Sequence, residues 1–200
     1  MSRPNRESLL FDKIASKEES IRVLHVDDET GFLTCSKQIL ELKGQFQVDV
    51  ASSVEEALAK MKKSIYDVVV SDYQMPIKDG LQFLRELREK GNNIPFILFT
   101  GKGREEVAIQ ALNLGANYYV NKMGKPETIY GELAHIINQV VNQNETKNRL
   151  GLERERLQTV TKNMSAGLAV ISKDFRILWA NDVLENVFGD NYKGKNASLL

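Results

Sequence analysis

The chain of 200 residues is long enough for one complete domain and a smaller remainder. Lysine and arginine together number 27, as do aspartate and glutamate, so the sequence lacks the basic excess that direct nucleic-acid binding usually requires. Its apolar runs are of strand length, well short of the roughly 20 residues that a membrane-spanning helix needs. We therefore expect a protein that binds neither nucleic acid nor a membrane directly.

The only cysteine of the chain is Cys35. A single thiol cannot form an internal disulfide, which suits a protein of the reducing cytoplasm. We interpret Cys35 as a small buried helix residue and not as a catalytic thiol. Residues 1–20 mix acidic and basic side chains, so they are predicted to be a polar tail.

Strands and helices alternate from residue 21 onward. The predicted strands cover residues 21–26, 48–51, 67–70, 94–99 and 118–120. The predicted helices cover residues 30–43, 53–63, 79–90 and 105–114, and a fifth begins near Pro126. This alternation specifies an α/β fold with a doubly wound five-stranded parallel sheet.

Reactive side chains stand at the ends of four of these strands. Asp27 and Asp28 follow the first, Asp72 follows the third, and Thr100 and Lys122 follow the fourth and fifth. The carboxyl ends of parallel strands share one edge, so we expect these side chains to meet in one crevice. Three carboxylates there would repel one another, and a bound cation would relieve that repulsion. The all-oxygen ligand set favours Mg²⁺ over Zn²⁺.

Such a site suits phosphoryl transfer. Asp72 is alone at the end of a central strand, so we predict that it is the nucleophile and forms an acyl phosphate. Asp27 and Asp28 are the predicted metal ligands. Lys122 and Thr100 are the predicted partners of the phosphoryl oxygens.

Five segments contain these residues and their neighbours: Asp27-Asp28-Glu29, Asp72-Tyr73-Gln74-Met75-Pro76, Asp79-Gly80, Thr100-Gly101 and Gly115-Ala116-Asn117-Tyr118-Tyr119-Val120-Asn121-Lys122. Their order and spacing resemble the receiver domain of two-component response regulators, a flavodoxin-like (CheY-like) fold, over residues 21–141. The resemblance implies that Asp72 is the phosphoacceptor. It also implies a Mg²⁺ held by Asp28, by Asp72, by Asp27 through water and by the backbone carbonyl of Gln74.

The same resemblance implies a signalling role. The Thr100 hydroxyl is expected to follow the phosphoryl group, and the ring of Tyr119 is expected to change rotamer with it. The expected phosphodonor is a sensor histidine kinase, and the expected output surface is helix 4, strand 5 and helix 5. A homodimer could form through that surface or through the linker helix described below.

The segment after Lys122 departs from the family pattern. The family usually has proline directly after this lysine, whereas here Met123 and Gly124 follow and the proline is Pro126. A non-proline cis peptide costs about 2.5–4 kcal/mol, so we expect a trans peptide or a rearranged loop. Lys125 is the alternative candidate for the site lysine.

Two other functions stay open. A phosphatase of the dehalogenase type also forms an aspartyl phosphate, but it generally has a second acid where this chain has Gln74. A non-phosphorylated interaction module would keep only the fold. We predict a phosphoacceptor that assists its own phosphorylation and dephosphorylation, and not an enzyme. His25, in the middle of a strand, is predicted to be a core or edge residue with its hydrogen bonds satisfied, and His135 an ordinary helix residue.

The C-terminal third differs in pattern from the receiver-like part. Residues 142–163 are predicted to form a helical linker interrupted near Asn144 and Gly151, with a flexible linker as the alternative. Residues 164–200 contain two predicted strands and a helix after Asn181, which resembles the opening of a PAS sensory domain of α+β type. This segment is too short for a ligand pocket, so the chain looks cut from a longer one. Cysteine–flavin photochemistry is excluded because Cys35 lies in the other domain.

Overall fold

The computed structural model describes residues 20–101, 105–164 and 166–188. Five parallel strands form one sheet in the order β2-β1-β3-β4-β5. These strands are β1 (Ile21–Val26), β2 (Phe46–Ala51), β3 (Val68–Ser71), β4 (Phe96–Thr100) and β5 (Tyr118–Asn121). The predicted doubly wound α/β fold is therefore confirmed. The polar tail predicted for residues 1–20 lies outside the described residues except for residue 20.

Helices cover both faces of this sheet. They are α1 (Thr30–Lys43), α2 (Val54–Met61), α3 (Gly80–Glu89), α4 (Glu105–Asn113) and α5 (Pro126–Asn163). One core cluster packs α1 and α5 against the sheet, and a second packs α2, α3 and α4 against the opposite face. The central strands β3 and β4 are buried along their whole length. Their uninterrupted apolar sequences follow from this two-sided burial.

The prediction that Cys35 is buried is wrong. The thiol is exposed on α1. The buried residues of this helix are Leu33, Ser36 and Leu40, at the spacing of one helical face. Residue 35 lies outside that face because successive residues turn by about 100° around a helix axis.

The predicted interruption of the linker helix near Asn144 and Gly151 is also wrong, since α5 is continuous over 38 residues. Glycine inside a helix costs only about 1 kcal/mol relative to alanine, and asparagine costs less. The apolar stripe of the first half of α5 is buried, whereas Leu150 and Leu157 in the second half are exposed.

The chain divides into two compact units, residues 1–144 and 145–200. In the second unit, β6 (Ala169–Ile171) and β7 (Ile177–Ala180) form an antiparallel hairpin that α6 (Asp182–Phe188) follows. The buried side chain of Asn181 ties this unit together: it accepts from the backbone nitrogen of Leu168 at 2.9 Å and donates to the carbonyl of Ala166 at 2.9 Å. The hairpin and helix agree with the elements predicted there. None of the described helices has the length and apolarity to cross a bilayer.

Candidate functional site

Backbone pairing places two aspartates side by side at the carboxyl edge of the sheet. The backbone nitrogen of Asp27 donates to the carbonyl of Ala51 at 3.0 Å, and that of Asp72 donates to the carbonyl of Val26 at 2.8 Å. These bonds extend the strand ladders by one residue beyond β1 and β3. Both aspartates are buried, with exposed fractions of 2% and 7%.

Lys122 joins the two carboxylates. Its ammonium lies 2.5 Å from Oδ2 of Asp27 and 2.7 Å from Oδ1 of Asp72. The backbone nitrogen of Lys122 donates to the carbonyl of Thr100 at 3.0 Å, so the end of β5 is fixed against the end of β4. We call Asp27, Asp72 and Lys122 the acid cluster. Its two carboxylates outnumber its one ammonium, which leaves a net negative charge that favours a further cation.

Backbone groups fix the other carboxylate oxygens. Oδ2 of Asp72 accepts from the backbone nitrogen of Gln74 at 2.7 Å, and Oδ1 of Asp27 accepts from that of Glu29 at 2.9 Å. Each carboxylate is thus held by one backbone donor and one ammonium. The carboxylates of Asp27 and Asp72 are therefore held in fixed orientations by groups of the protein itself, and electrostatic catalysis depends on preoriented charged groups of this kind.

Asp28 lies outside this cluster. Its side chain is exposed, and the described residues contain no group of three or more His, Cys, Asp or Glu side chains placed to hold a metal ion. Of the three carboxylates expected to converge, those of Asp27 and Asp72 are joined through Lys122, whereas Asp28 is exposed. The metal-ligand roles of these three acids and of Gln74 stay predictions.

The remaining predicted site residues lie at or near the same edge. Thr100 is buried at the end of β4, where it pairs in register with Asn121. Tyr119 is half-buried in β5, packs against the core of the α2, α3 and α4 layer, and has its pKa raised by burial. Lys125 is exposed. No described peptide bond is cis, so the expected trans bond after Lys122 is confirmed.

The loop from β3 to α3 packs tightly against Asp72. The capping box of α3 joins Asp79 and Gln82. Gly80, the first residue of α3, lies so close to the end of β3 that a Cβ atom at this position would overlap the carbonyl oxygen of Asp72. In the same loop Ile77 has a φ of 70° and is 90% exposed. A β-branched residue in this left-handed conformation is strained.

The groups that surround the ammonium of Lys122 were not predicted from the sequence. The Lys122 ammonium lies 4.4 Å from the ring centroid of Phe32 and 5.5 Å from that of Phe99. His25 lies in the core, as predicted, and its Nδ1 atom contacts Ser36, but the prediction that its hydrogen bonds are satisfied is wrong, because its Nε2 atom has no hydrogen-bond partner among the described residues. Burial and, secondarily, Lys122 lower the pKa of this imidazole to about 3. The sequence gives no sign that Phe32 lies beside the ammonium of Lys122 or that Ser36 contacts His25.

Comparison with known proteins agrees with this geometry. The response regulator receiver domain family matches residues 23–134. Response regulator Rre1 of Synechocystis is 31% identical over 150 residues, which cover 74% of this chain and 63% of Rre1. Response regulator SaeR of Staphylococcus epidermidis is 28% identical over 188 residues, which cover 85% of this chain and 80% of SaeR. The chain thus spans less than two thirds of the length of Rre1.

Solved structures show the same fold. A response regulator receiver domain protein from Clostridium thermocellum aligns with a TM-score of 0.57 at 31% identity, over 63% of this chain and 98% of its own. A CheY-like receiver domain protein from Methanospirillum hungatei aligns with a TM-score of 0.54 at 28% identity, over 62% of this chain and 98% of its own.

Proposed function

The chain belongs to the response regulator receiver family, and we propose that it accepts a phosphoryl group on Asp72 from a sensor histidine kinase. The observation that carries this proposal is the acid cluster, in which one ammonium contacts two buried carboxylates at the carboxyl edge of the sheet. Family membership supports the same role, since response regulators receive their signal from such kinases.

The transfer moves one phosphoryl group and no other atoms of the donor. A carboxylate oxygen of Asp72 forms a bond to phosphorus while the bond from phosphorus to the donor's imidazole nitrogen breaks and keeps its electron pair on nitrogen. Lys122 already donates a hydrogen bond to the carboxylate of Asp72, so its ammonium is in place to offset the charge of the phosphoryl oxygens. The Thr100 hydroxyl, at the neighbouring strand end, is the second proposed partner of those oxygens.

The acid cluster fits Mg²⁺ as the accompanying ion. Its carboxylates are oxygen ligands that already share one cation, and the backbone of Gln74 is fixed beside Asp72 by a 2.7 Å hydrogen bond. Asp27, Asp72, the carbonyl of Gln74 and the neighbouring Asp28 would hold the ion. When bound, Mg²⁺ would neutralise charge on the phosphoryl oxygens.

The proposed signalling role also includes an output surface and the segment that follows α5. Phosphorylation would change the rotamer of Tyr119 and alter the surface of α4, β5 and α5, which would act on a PAS-type module beginning near residue 164. The hairpin β6–β7 and the Asn181-capped start of α6 support that module. We further propose a cytoplasmic protein that forms a homodimer through this surface or through the second half of α5, and that acts as a phosphoacceptor and not as an enzyme on a separate substrate.

Phosphorylation is tested by incubating the protein with Mg²⁺ and acetyl phosphate and locating the label by mass spectrometry. We expect the label on Asp72 and its loss in Asp72→Asn. Asp67→Asn is the matched control, because it changes an acid beside the start of the same strand, where Asp67 accepts from the backbone nitrogen of Arg22 at 2.8 Å. Label that persists in Asp72→Asn would refute the assignment. Continuous hydrolysis of a generic phosphoester would favour a dehalogenase-type phosphatase, and no label at all would favour an interaction module.

A further inference from the structure

A buried set of polar contacts joins β1, α1 and α5 close to the acid cluster. His25 of β1 is fully buried, and its Nδ1 atom lies 3.0 Å from the hydroxyl of Ser36, a buried residue of α1. Burial raises the pKa of Tyr130, a buried residue of α5, and a hydrogen bond with Ser36 acts against that rise. We call His25, Ser36 and Tyr130 the buried link. It connects the sheet with both helices of one layer.

The buried link lowers the free energy of unfolding if its role is only structural. The Nε2 atom of His25 is buried and has no hydrogen-bond partner among the described residues. A buried polar atom without a partner loses its hydration and gains nothing in return. An apolar side chain at this strand position would avoid that cost. The presence of histidine therefore points to a role other than stability.

Aromatic rings connect the buried link to the acid cluster. The rings of Phe32 and Phe99 each lie 6.1 Å from the His25 ring, and the Tyr130 ring lies 6.4 Å from Phe32 and 6.0 Å from Phe99. The Lys122 ammonium that binds both aspartates lies over the same two phenylalanine rings. A displacement of this ammonium therefore alters its cation–π contact with Phe32 and Phe99, which pack on two members of the link.

We propose that the buried link positions α5 according to the charge at Asp72. This inference rests on the proposed function, because phosphorylation supplies the change in charge. A phosphoryl group on Asp72 draws the Lys122 ammonium toward its oxygens and away from the rings. The rings and the link then repack, and Tyr130 passes the change to α5. His25, Ser36 and Tyr130 act through Lys122 and are positioning residues.

This route is separate from the one that the family resemblance assigns to Tyr119. The buried link lies in the layer of α1 and α5, whereas Tyr119 packs against the core of the α2, α3 and α4 layer. The two routes would thus leave the acid cluster on opposite faces of the sheet. Packed cores respond to small shifts by changing between discrete arrangements, so a displaced ammonium can act through either layer.

The test compares hydrogen exchange with and without beryllofluoride and Mg²⁺, a phosphoryl mimic. Two peptides are followed: residues 71–80, which report occupancy of the site, and residues 126–141, which report α5. In the wild type we expect beryllofluoride to change exchange in both. Ser36→Ala and Tyr130→Phe should keep the change in 71–80 and reduce the change in 126–141 at least threefold. Tyr130→Phe removes one oxygen and retains the ring, so packing is preserved.

Two matched controls separate the buried link from a general loss of hydroxyl groups. Thr34→Ala removes an exposed α1 hydroxyl that donates to the carbonyl of Thr30 at 3.0 Å. Tyr66→Phe removes a different tyrosine hydroxyl, which donates to Asp49 at 2.9 Å and lies outside the proposed output surface. Both controls should respond like the wild type. A merely structural link would change exchange of α5 equally with and without the mimic, so the difference between the two states would stay at its wild-type size.

The outcomes are distinguishable from failure of the proposed function. If beryllofluoride changes neither peptide of the wild type, the proposed function fails, and the inference falls with it. If the wild type responds but Ser36→Ala and Tyr130→Phe respond equally in 126–141, only the inference is overturned. It is also overturned if Thr34→Ala or Tyr66→Phe loses the response, since the buried link would then have no specific part in it.

Discussion

Acidification should destabilise this protein through His25. The pKa of this buried imidazole is lowered from 6.5 to about 3, first by burial and then by the nearby Lys122 ammonium. In the unfolded chain the same side chain binds a proton below its ordinary pKa, whereas the folded chain takes it up only near the lowered value. Between these two values the unfolded state binds more protons, so stability falls as the pH falls.

The size of the effect follows from that difference. One pH unit inside the window changes the free energy of unfolding by about 1.4 kcal/mol for one histidine. From the ordinary pKa down to about pH 5 the loss is therefore about 2 kcal/mol. The aromatic neighbours of His25 carry no charge, and Lys122 is the charged group that lowers its pKa. We therefore expect one histidine to account for most of this loss.

The assay is urea unfolding followed by circular dichroism at several pH values between about 5 and 7. His25→Val suits a buried strand position and should remove most of the pH dependence in this range. His135→Gln changes the only other histidine, which is exposed on α5, and should keep the wild-type dependence. Equal pH dependence in the wild type and His25→Val would show that the buried imidazole is not the cause.

Three further predictions concern the site and its loop. Gly80→Ala should destabilise the protein by about 1–3 kcal/mol because its methyl group overlaps the strand end, whereas Gly31→Ala, with no atom within 4 Å, should not; equal urea midpoints would contradict the packing argument. Ile77→Gly should stabilise by about 0.5–1 kcal/mol, since relief of left-handed strain exceeds the added chain entropy, and a lowered melting temperature would count against strain. Lys122→Met should destabilise the protein by about 3–5 kcal/mol at neutral pH, because it leaves two buried carboxylates without their counter-charge. Lys125 is exposed, so Lys125→Met should not destabilise the protein, and similar unfolding free energies for the two variants would be inconsistent with the acid cluster.

The sequence predicted the sheet well because its strand signals are local. Short apolar runs of β-branched residues end in polar residues, and parallel strands bring those ends to one edge. This is why the sequence alone places Asp27, Asp72 and Lys122 in one group. Asp28 could not be separated from Asp27 in the same way, since adjacent residues have the same strand end but different exposure.

The structural features that were not predicted depend on contacts between segments that are distant in sequence. Ser36 is a polar residue on a helix, and only the fold shows that it faces His25 of β1. The exposure of Cys35 depends on which face of α1 meets the sheet. The left-handed backbone of Ile77 runs against the preference of β-branched residues, so no residue rule anticipates it.

The close approach of Gly80 to the Asp72 carbonyl has a mechanical consequence. Because Gly80 has no side chain, the first residue of α3 lies directly against the main chain of Asp72 at the end of β3. The main chain of Asp72 therefore cannot move toward α3. This side of the acid cluster is therefore rigid, and a phosphoryl group on Asp72, as proposed, would have to be accommodated by movement of the groups on the opposite side.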